Sequence, residues 1–292
     1  VTSPSTDLEV VIVSHGAEEL LRRCLRSLAE HPASVATRVT VVDSGSTDGT
    51  PDMVELEFPE VRLIRCENIG FSAANNVVLR EDEAAAVLLL NPDTEVYAGT
   101  LDAALARLRS EERIGMVGCK LVTESGELDH ACKRSFPTPL SALAHFTGVG
   151  RSEDASGTLS QYRATHLGDD EPGEVDAVNG AFMLCRAEAV REVGLLDEGY
   201  WLYMEDLDWC RRFWQAGWKV FYAPRQGRLQ RQAPRRQTGD RLPPRHGPLL
   251  PSLRRPRAQP ARQHGGLRGD LGEAGGQPQH HRGPARPRFR LR

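Results

Sequence analysis

The run 39-VTVVDSGSTDGTP-51 decides how this chain folds. Val39 to Val42 is a short β-branched stretch with the composition of a buried strand. Asp43-Ser44-Gly45-Ser46-Thr47-Asp48-Gly49-Thr50 ends it, and Pro51, whose fixed φ suits a first helical position, opens the next element. Strand, polar turn and helix make one α/β unit. Upstream, Glu9 to Ser14 is a second such strand, ended by His15-Gly16. Ala17 to Glu30 follows with Leu20, Leu21, Cys24, Leu25 and Leu28 at helical spacing. Downstream, Val61 to Arg65 is a third strand. Strands alternating with helices predict a mainly parallel sheet flanked by helices, an α/β class in which ligands gather beyond the carboxyl ends of the strands. Asp43 lies at such an end.

Farther along, Glu67-Asn68-Ile69-Gly70-Phe71 enters a helix whose first backbone N–H groups can face an anion. Ala84 to Leu90 is the most apolar strand, stopped by Asn91-Pro92-Asp93-Thr94. An aspartate at the carboxyl end of a central strand, in a turn fixed by Pro92, suits a divalent metal that also holds phosphate oxygens. Asn-Pro-Asp is equally an ordinary turn sequence. Leu101 to Leu108 reads as an amphipathic helix and Gly115 to Val122 as a strand. From His130 to Gly173 the pattern loosens into a long surface loop or an insertion over a site. Val175 to Leu184 then returns to the core.

The next stretch sets Asp197, Glu198, Glu205, Asp206 and Asp208 among Tyr200, Trp201, Tyr203 and Trp209. Carboxylates beside apolar and aromatic surface are how a useful base is made. Leu207, Cys210 and Trp214 recur at helical spacing and Gly217 is a stop signal, so a helix is expected over Glu205 to Ala216, with Asp206 in its first turn. Asp208 is expected to do no more than pair with Arg212, four residues on.

The totals describe two unlike segments. The 292 residues are 39% apolar and carry a formal charge of −3. Residues 225–292, however, hold 17 of the 37 Lys and Arg, 3 of the 40 Asp and Glu, and 10 of the 19 prolines. They contain no Val, Ile, Tyr, Trp, Met or Cys. Such a composition builds no core, so 1–224 is expected to be the folded domain and 225–292 a disordered tail. Six cysteines without C-x-x-C spacing suit a reducing cytoplasm. The N-terminal residues lack the pattern of a signal peptide, and no apolar run approaches the ~20 residues of a membrane span. Any membrane contact is therefore expected to be peripheral, at the inner face of the cell membrane.

Six segments, VVIVSHG, VVDSGSTDGT, NIGFSAANN, LLLNPDT, VNGAFMLCR and GLLDEGYWLYMEDLDWCRR, stand in the order and spacing of a known family. With them the first 224 residues resemble the inverting, nucleotide-sugar-dependent glycosyltransferases of family 2 and GT-A fold, and most of all bacterial rhamnosyltransferases. One segment would be weak evidence; six in order are strong. The resemblance implies a Rossmann-like GT-A sheet and transfer of rhamnose from dTDP-rhamnose to a cell-envelope glycan or lipid-linked acceptor. It implies Mg2+ or Mn2+ as cofactor and no specific nucleic-acid partner. By the same resemblance Ser14, Asp43, Asn68, Gly70, Asn91, Asp93 and Gly180 border the donor, Asp93 is the metal-binding acid, and Asp206, next to Glu205, is the catalytic base. His15-Gly16 departs from the Tyr-Asn often found there.

Two rival readings stand beside this one. A nicotinamide dehydrogenase would need G-x-G-x-x-G after the first strand, where only Gly16 stands. A nucleotide-sugar binder without turnover shares every motif and differs only in an assay. For the tail two readings stand: a basic arm lying on anionic lipid, or the product of a reading-frame change near codon 225. A similar enzyme would continue after Pro224 with a histidine-containing loop and amphipathic helices, and neither is recognisable.

Overall fold

The computed structural model describes residues 6–123, 125–136 and 167–231, the last seven of these by their backbone alone. The expected alternation is there. Strand β1 (Leu8–Ser14), helix α1 (Glu18–Glu30), β2 (Thr37–Ser44), α2 (Thr50–Glu57), β3 (Arg62–Cys66), α3 (Phe71–Leu79) and β4 (Ala86–Leu90) follow in sequence. The strands pair in parallel in the order β3-β2-β1-β4. Each of these strands except β3 is mostly buried, as β-branched and leucine-rich runs covered on both faces must be. Leu21, Cys24, Leu25 and Leu28 form the buried face of α1, and Pro51 stands in the first turn of α2.

The second half is mixed. It comprises β5 (Thr94–Val96), α4 (Thr100–Ser110), β6 (Ile114–Thr123), a 3-10 turn (His130–Cys132) and β7 (Gly173–Glu174). After these come β8 (Phe182–Arg186), α5 (Ala187–Val193), α6 (Glu205–Gln215) and β9 (Lys219–Arg231). The path continues β4-β8-β6-β9-β5, with β7 on β9. β8 runs antiparallel to both β4 and β6, while β9 is parallel to β6. Val175 to Leu184 returns to the core as expected, and within it the chain turns at Asn179-Gly180 and Phe182 starts β8 opposite Leu90. That reversal matters for function, because it places the Gly180 turn just beyond the carboxyl end of β4.

Two further details of this half bear on the site. On α6 the buried face is Glu205, Asp206, Trp209, Cys210 and Phe213, and Leu207 and Trp214 lie at its margin. Trp209 and Phe213 meet edge to face, 5.4 Å apart, so both carboxylates are on the inward face. At the far end, β9 does not stop at Pro224. After an irregularity between Cys119 and Lys120, it pairs with β6 and β5 as far as Arg231. Ladder bonds use backbone groups, which a change in side-chain composition leaves intact. Pro224, which cannot donate, falls in the irregularity. Residues 232–292, which carry most of the tail, and 137–166 of the loosened stretch lie outside the described residues.

Candidate active site

The parallel half of the sheet sets polar residues at the carboxyl ends of its strands. Ser14 and Asp43 are register partners at the ends of β1 and β2, and both are buried. The Ser46 N–H donates to Asp43 Oδ2 at 3.3 Å. Asp43 Oδ1 and Ser14 Oγ have no hydrogen-bond partner among the described residues. Leaving such groups buried and unpaired costs about 1–3 kcal/mol each unless something polar completes them. A nucleotide's hydroxyl and amide groups would do so. Beyond β3, Asn68 Oδ1 accepts from the Gly70 N–H at 3.3 Å and from Ser44 Oγ at 3.4 Å, which ties this loop to the end of β2.

Gly70 takes φ +86°, and a Cβ there would lie 2.9 Å from the Trp201 carbonyl oxygen. The Phe71 N–H donates to that same oxygen at 2.8 Å. The segment leading into α6 therefore rests on the start of α3, and only glycine lets it come so close.

At the end of β4 the Asn91 N–H donates to Ala181 O at 3.1 Å, and the Thr94 N–H closes the turn on Asn91 O at 3.2 Å. Asn91 Oδ1 is buried without a partner among the described residues, and Asp93 is half-buried beside it in the chain. An amide oxygen and a carboxylate two residues apart are hard donors of the kind Mg2+ or Mn2+ accepts. Among the described residues no three His, Cys, Asp or Glu side chains converge on one point. A metal held by these two residues would take its remaining oxygens from phosphate and water.

Asp206 sits across from this turn. Its Oδ2 accepts from the Gly180 N–H at 3.1 Å and from the Arg134 guanidinium, and its Oδ1 accepts from the Leu207 N–H at 2.8 Å. Ala181 follows Gly180, so one short connection runs from Asn91 through Ala181 and Gly180 to Asp206. Glu205 is buried with Oε2 unpartnered among the described residues. Burial first, and the neighbouring Asp206 carboxylate second, push its carboxyl up to about 7, with Arg134 opposing. The two residues before it, Tyr203 and Met204, take φ +70° and +76°, strained values for side chains of that size.

The other acids of this region are structural. Asp208 pairs with Arg212 at 2.8 Å as the sequence suggested, Glu198 bonds Asn76 and Arg80, and Asp197 accepts from the Gly199 N–H. Arg134 was not anticipated. It lies in the stretch where periodicity fails, and neither spacing nor motif marks it.

The carboxyl ends of the parallel strands, the Asn91 turn and the buried carboxylates at the start of α6 thus form one candidate site. Residues 9–193 match the family model for Glycosyl transferase family 2, and the chain belongs to that family. It is 32% identical over 234 residues to N-acetylglucosaminyl-diphospho-decaprenol L-rhamnosyltransferase of Mycobacterium tuberculosis, covering 74% of this chain and 73% of that one. It is 24% identical over 223 residues to the rhamnosyltransferase WbbL of Escherichia coli, covering 74% and 80%. Among solved structures, GalNAc-T7 with UDP, GalNAc and Mn2+ aligns at TM-score 0.57 and 16% identity, over 78% of this chain and 44% of that one. A mannosyltransferase of Pyrobaculum calidifontis with GDP-Man and Mn2+ aligns at 0.56 and 18%, over 81% and 60%. The fold is GT-A, and the chain is a rhamnosyltransferase-like glycosyltransferase.

Proposed function

We propose that this enzyme transfers rhamnose from dTDP-rhamnose, with inversion and with Mg2+ or Mn2+ bound, to a cell-envelope glycan or a lipid-linked acceptor. The observation that carries the reading is the connection Asn91–Ala181–Gly180–Asp206, which fixes a base beside an oxygen-donor turn. Inverting displacement needs those two things on opposite sides of the anomeric carbon. Asp206 takes the proton of the acceptor hydroxyl as its oxygen bonds to that carbon, and the bond to the diphosphate breaks on the far side. Asn91 and Asp93 would hold the metal, which when bound would supply positive charge against the departing diphosphate. Ser14 and Asp43 complete their hydrogen bonds on the nucleotide, and Asn68 and Gly70 border it.

Rhamnose is favoured by the named activities of both relatives, and a lipid-linked acceptor by that of the mycobacterial one. Trp201, Leu202, Tyr203 and Met204 are exposed in a row immediately before Glu205. Such surface suits an acceptor with sugar faces and an apolar chain. Among the described residues no helix is long and apolar enough to cross a membrane, and the proposed contact with a membrane is peripheral, at its inner face.

The test is release of dTDP and formation of product from a panel of nucleotide sugars, with and without Mn2+, in the presence of a GlcNAc-diphospho-lipid. Metal-dependent transfer from dTDP-rhamnose is expected. Binding of the nucleotide sugar with no product would instead identify a binder without turnover. Asp93→Ala is expected to weaken donor binding in Mn2+ at least tenfold and to leave metal-free binding unchanged, as read by titration calorimetry.

A further inference from the structure

We propose that Arg134 is a positioning residue for the transfer, holding the Asp206 carboxylate in register with the donor-side turn. The inference rests on the reading of Asp206 as the base. Arg134 is fixed at both ends. Its backbone exchanges two hydrogen bonds with Ala177, at 2.8 and 3.0 Å, and the Phe136 N–H anchors the same segment on Asp176 Oδ2 at 2.8 Å. Arg134 is buried, 7% exposed, and its guanidinium donates to both Val178 O and Asp206 Oδ2.

The geometry leaves Asp206 one way to act. A carboxylate offers about four lone-pair directions. On Oδ2 two are taken, by Arg134 and by the Gly180 N–H; on Oδ1 one is taken, by the Leu207 N–H. The remaining direction on Oδ1 is the one left for an acceptor hydroxyl. Freed from Arg134, the carboxylate can rotate about its own side chain, and a misplacement of about 1 Å can lower turnover ~10²-fold.

Arg134 also supplies positive charge to two neighbouring buried acids. Among the described residues the charged groups that act on Glu205 are Asp206, on its own helix, and this arginine. The nearby Cys210 thiol is neutral, its pKa pushed up to about 12 by burial. Val178 O, on the segment that leads to Gly180, is the second anchor, so the arginine joins the helix of the base to the turn beside β4.

The experiment compares wild type, R134Q, R134K, D206N and the R134Q/D206N double variant. R134Q is expected to lower kcat about a hundredfold with donor KM changed less than twofold, and R134K to recover at least tenfold of that loss. In the D206N background R134Q is expected to cause little further loss, because a residue that acts through Asp206 has nothing left to orient. A rise in donor KM equal to the fall in kcat/KM, no recovery with lysine, or additive losses in the double variant would overturn the proposal. A readout that needs no turnover is the infrared titration of the Glu205 carboxyl, assigned by its absence in E205Q. Its midpoint should rise in R134Q and stay near the wild-type value in R134K; no rise in R134Q overturns the proposal. If wild type transfers no sugar while this titration moves as stated, the base assignment fails and the placement of Arg134 stands.

Discussion

At Glu205, chemistry and stability are coupled. Its carboxyl titrates at about 7 in the folded protein against an ordinary value of 4.5, because burial and Asp206 both penalise its charge. The folded state thus binds this proton more tightly than the unfolded chain does. The stabilisation it gives is fully present below about pH 4.5 and is lost as pH rises through 7. A shift of that size corresponds to about 3 kcal/mol at most. E205Q, which keeps the shape without the charge, should therefore match wild type near pH 4.5 and exceed it at pH 8 by up to that amount. Urea unfolding at the two pH values measures the difference, and equal stabilities at pH 8 would show that Glu205 carries no such penalty. Asp206→Asn belongs to the same scale but to a different link. It should keep donor affinity and lower transfer by roughly 10²- to 10⁴-fold, the range for removing a general base. Transfer at wild-type rate would mean that another group takes the proton.

Between the start of α3 and the segment leading into α6 the contact is backbone on backbone. Trp201 O accepts from the Phe71 N–H, and Gly70 at φ +86° leaves room for no side chain. G70A must both strain that φ and push a Cβ to 2.9 Å from Trp201 O, so the segment 201–204 has to move. The φ alone costs about 1 kcal/mol. The expected signature is a larger fall in transfer than in melting temperature, with Trp201 fluorescence shifted, and unchanged transfer would mean that this segment does not serve the acceptor. How much of this was legible depends on the kind of signal. β1, β2, β4, α1 and α6 could be read because β-branched runs and helical spacing are local. The Gly70 loop and Asp206 could be placed because glycine punctuation and a first-turn acid are local too. The direction of β8 could not be read, since a five-residue apolar strand has the same pattern whichever way it runs. β5, three residues long, left no pattern at all. Arg134 is tied to its site by Ala177, Val178 and Asp206, contacts that span more than 40 residues and have no imprint on the residues around it.

For the whole molecule the question is how a sheet of two halves keeps one functional edge. β3-β2-β1-β4 brings Asp43, Asn68 and Asn91 to that edge by parallel pairing, and β8, running the other way, returns the chain to it at Gly180. β9 then supports the edge from its far side. Thr94 to Val96, directly after Asp93, pair with Arg231 to Leu229, and Lys120 to Thr123 pair with Arg228 to Arg231. A chain ended after Pro224 loses every one of these partners. β5 is then held chiefly against α1, where the Val96 N–H donates to Ser27 Oγ at 3.0 Å and Glu95 pairs with Arg23. A chain ended after Arg231 keeps them all. The shorter chain is therefore expected to melt several degrees below the longer one, at about 2–4 °C for each kcal/mol lost in a domain of this size. It should also lose metal-dependent donor binding, because β9 no longer pins β5 and, with it, the turn that carries Asp93. Thermal melts and calorimetric titration of dTDP-rhamnose in Mn2+ on the two truncated chains decide it. Identical midpoints and identical affinities would mean that residues 225–231 contribute nothing to the sheet, and that the change of composition at 225 marks the edge of the fold after all.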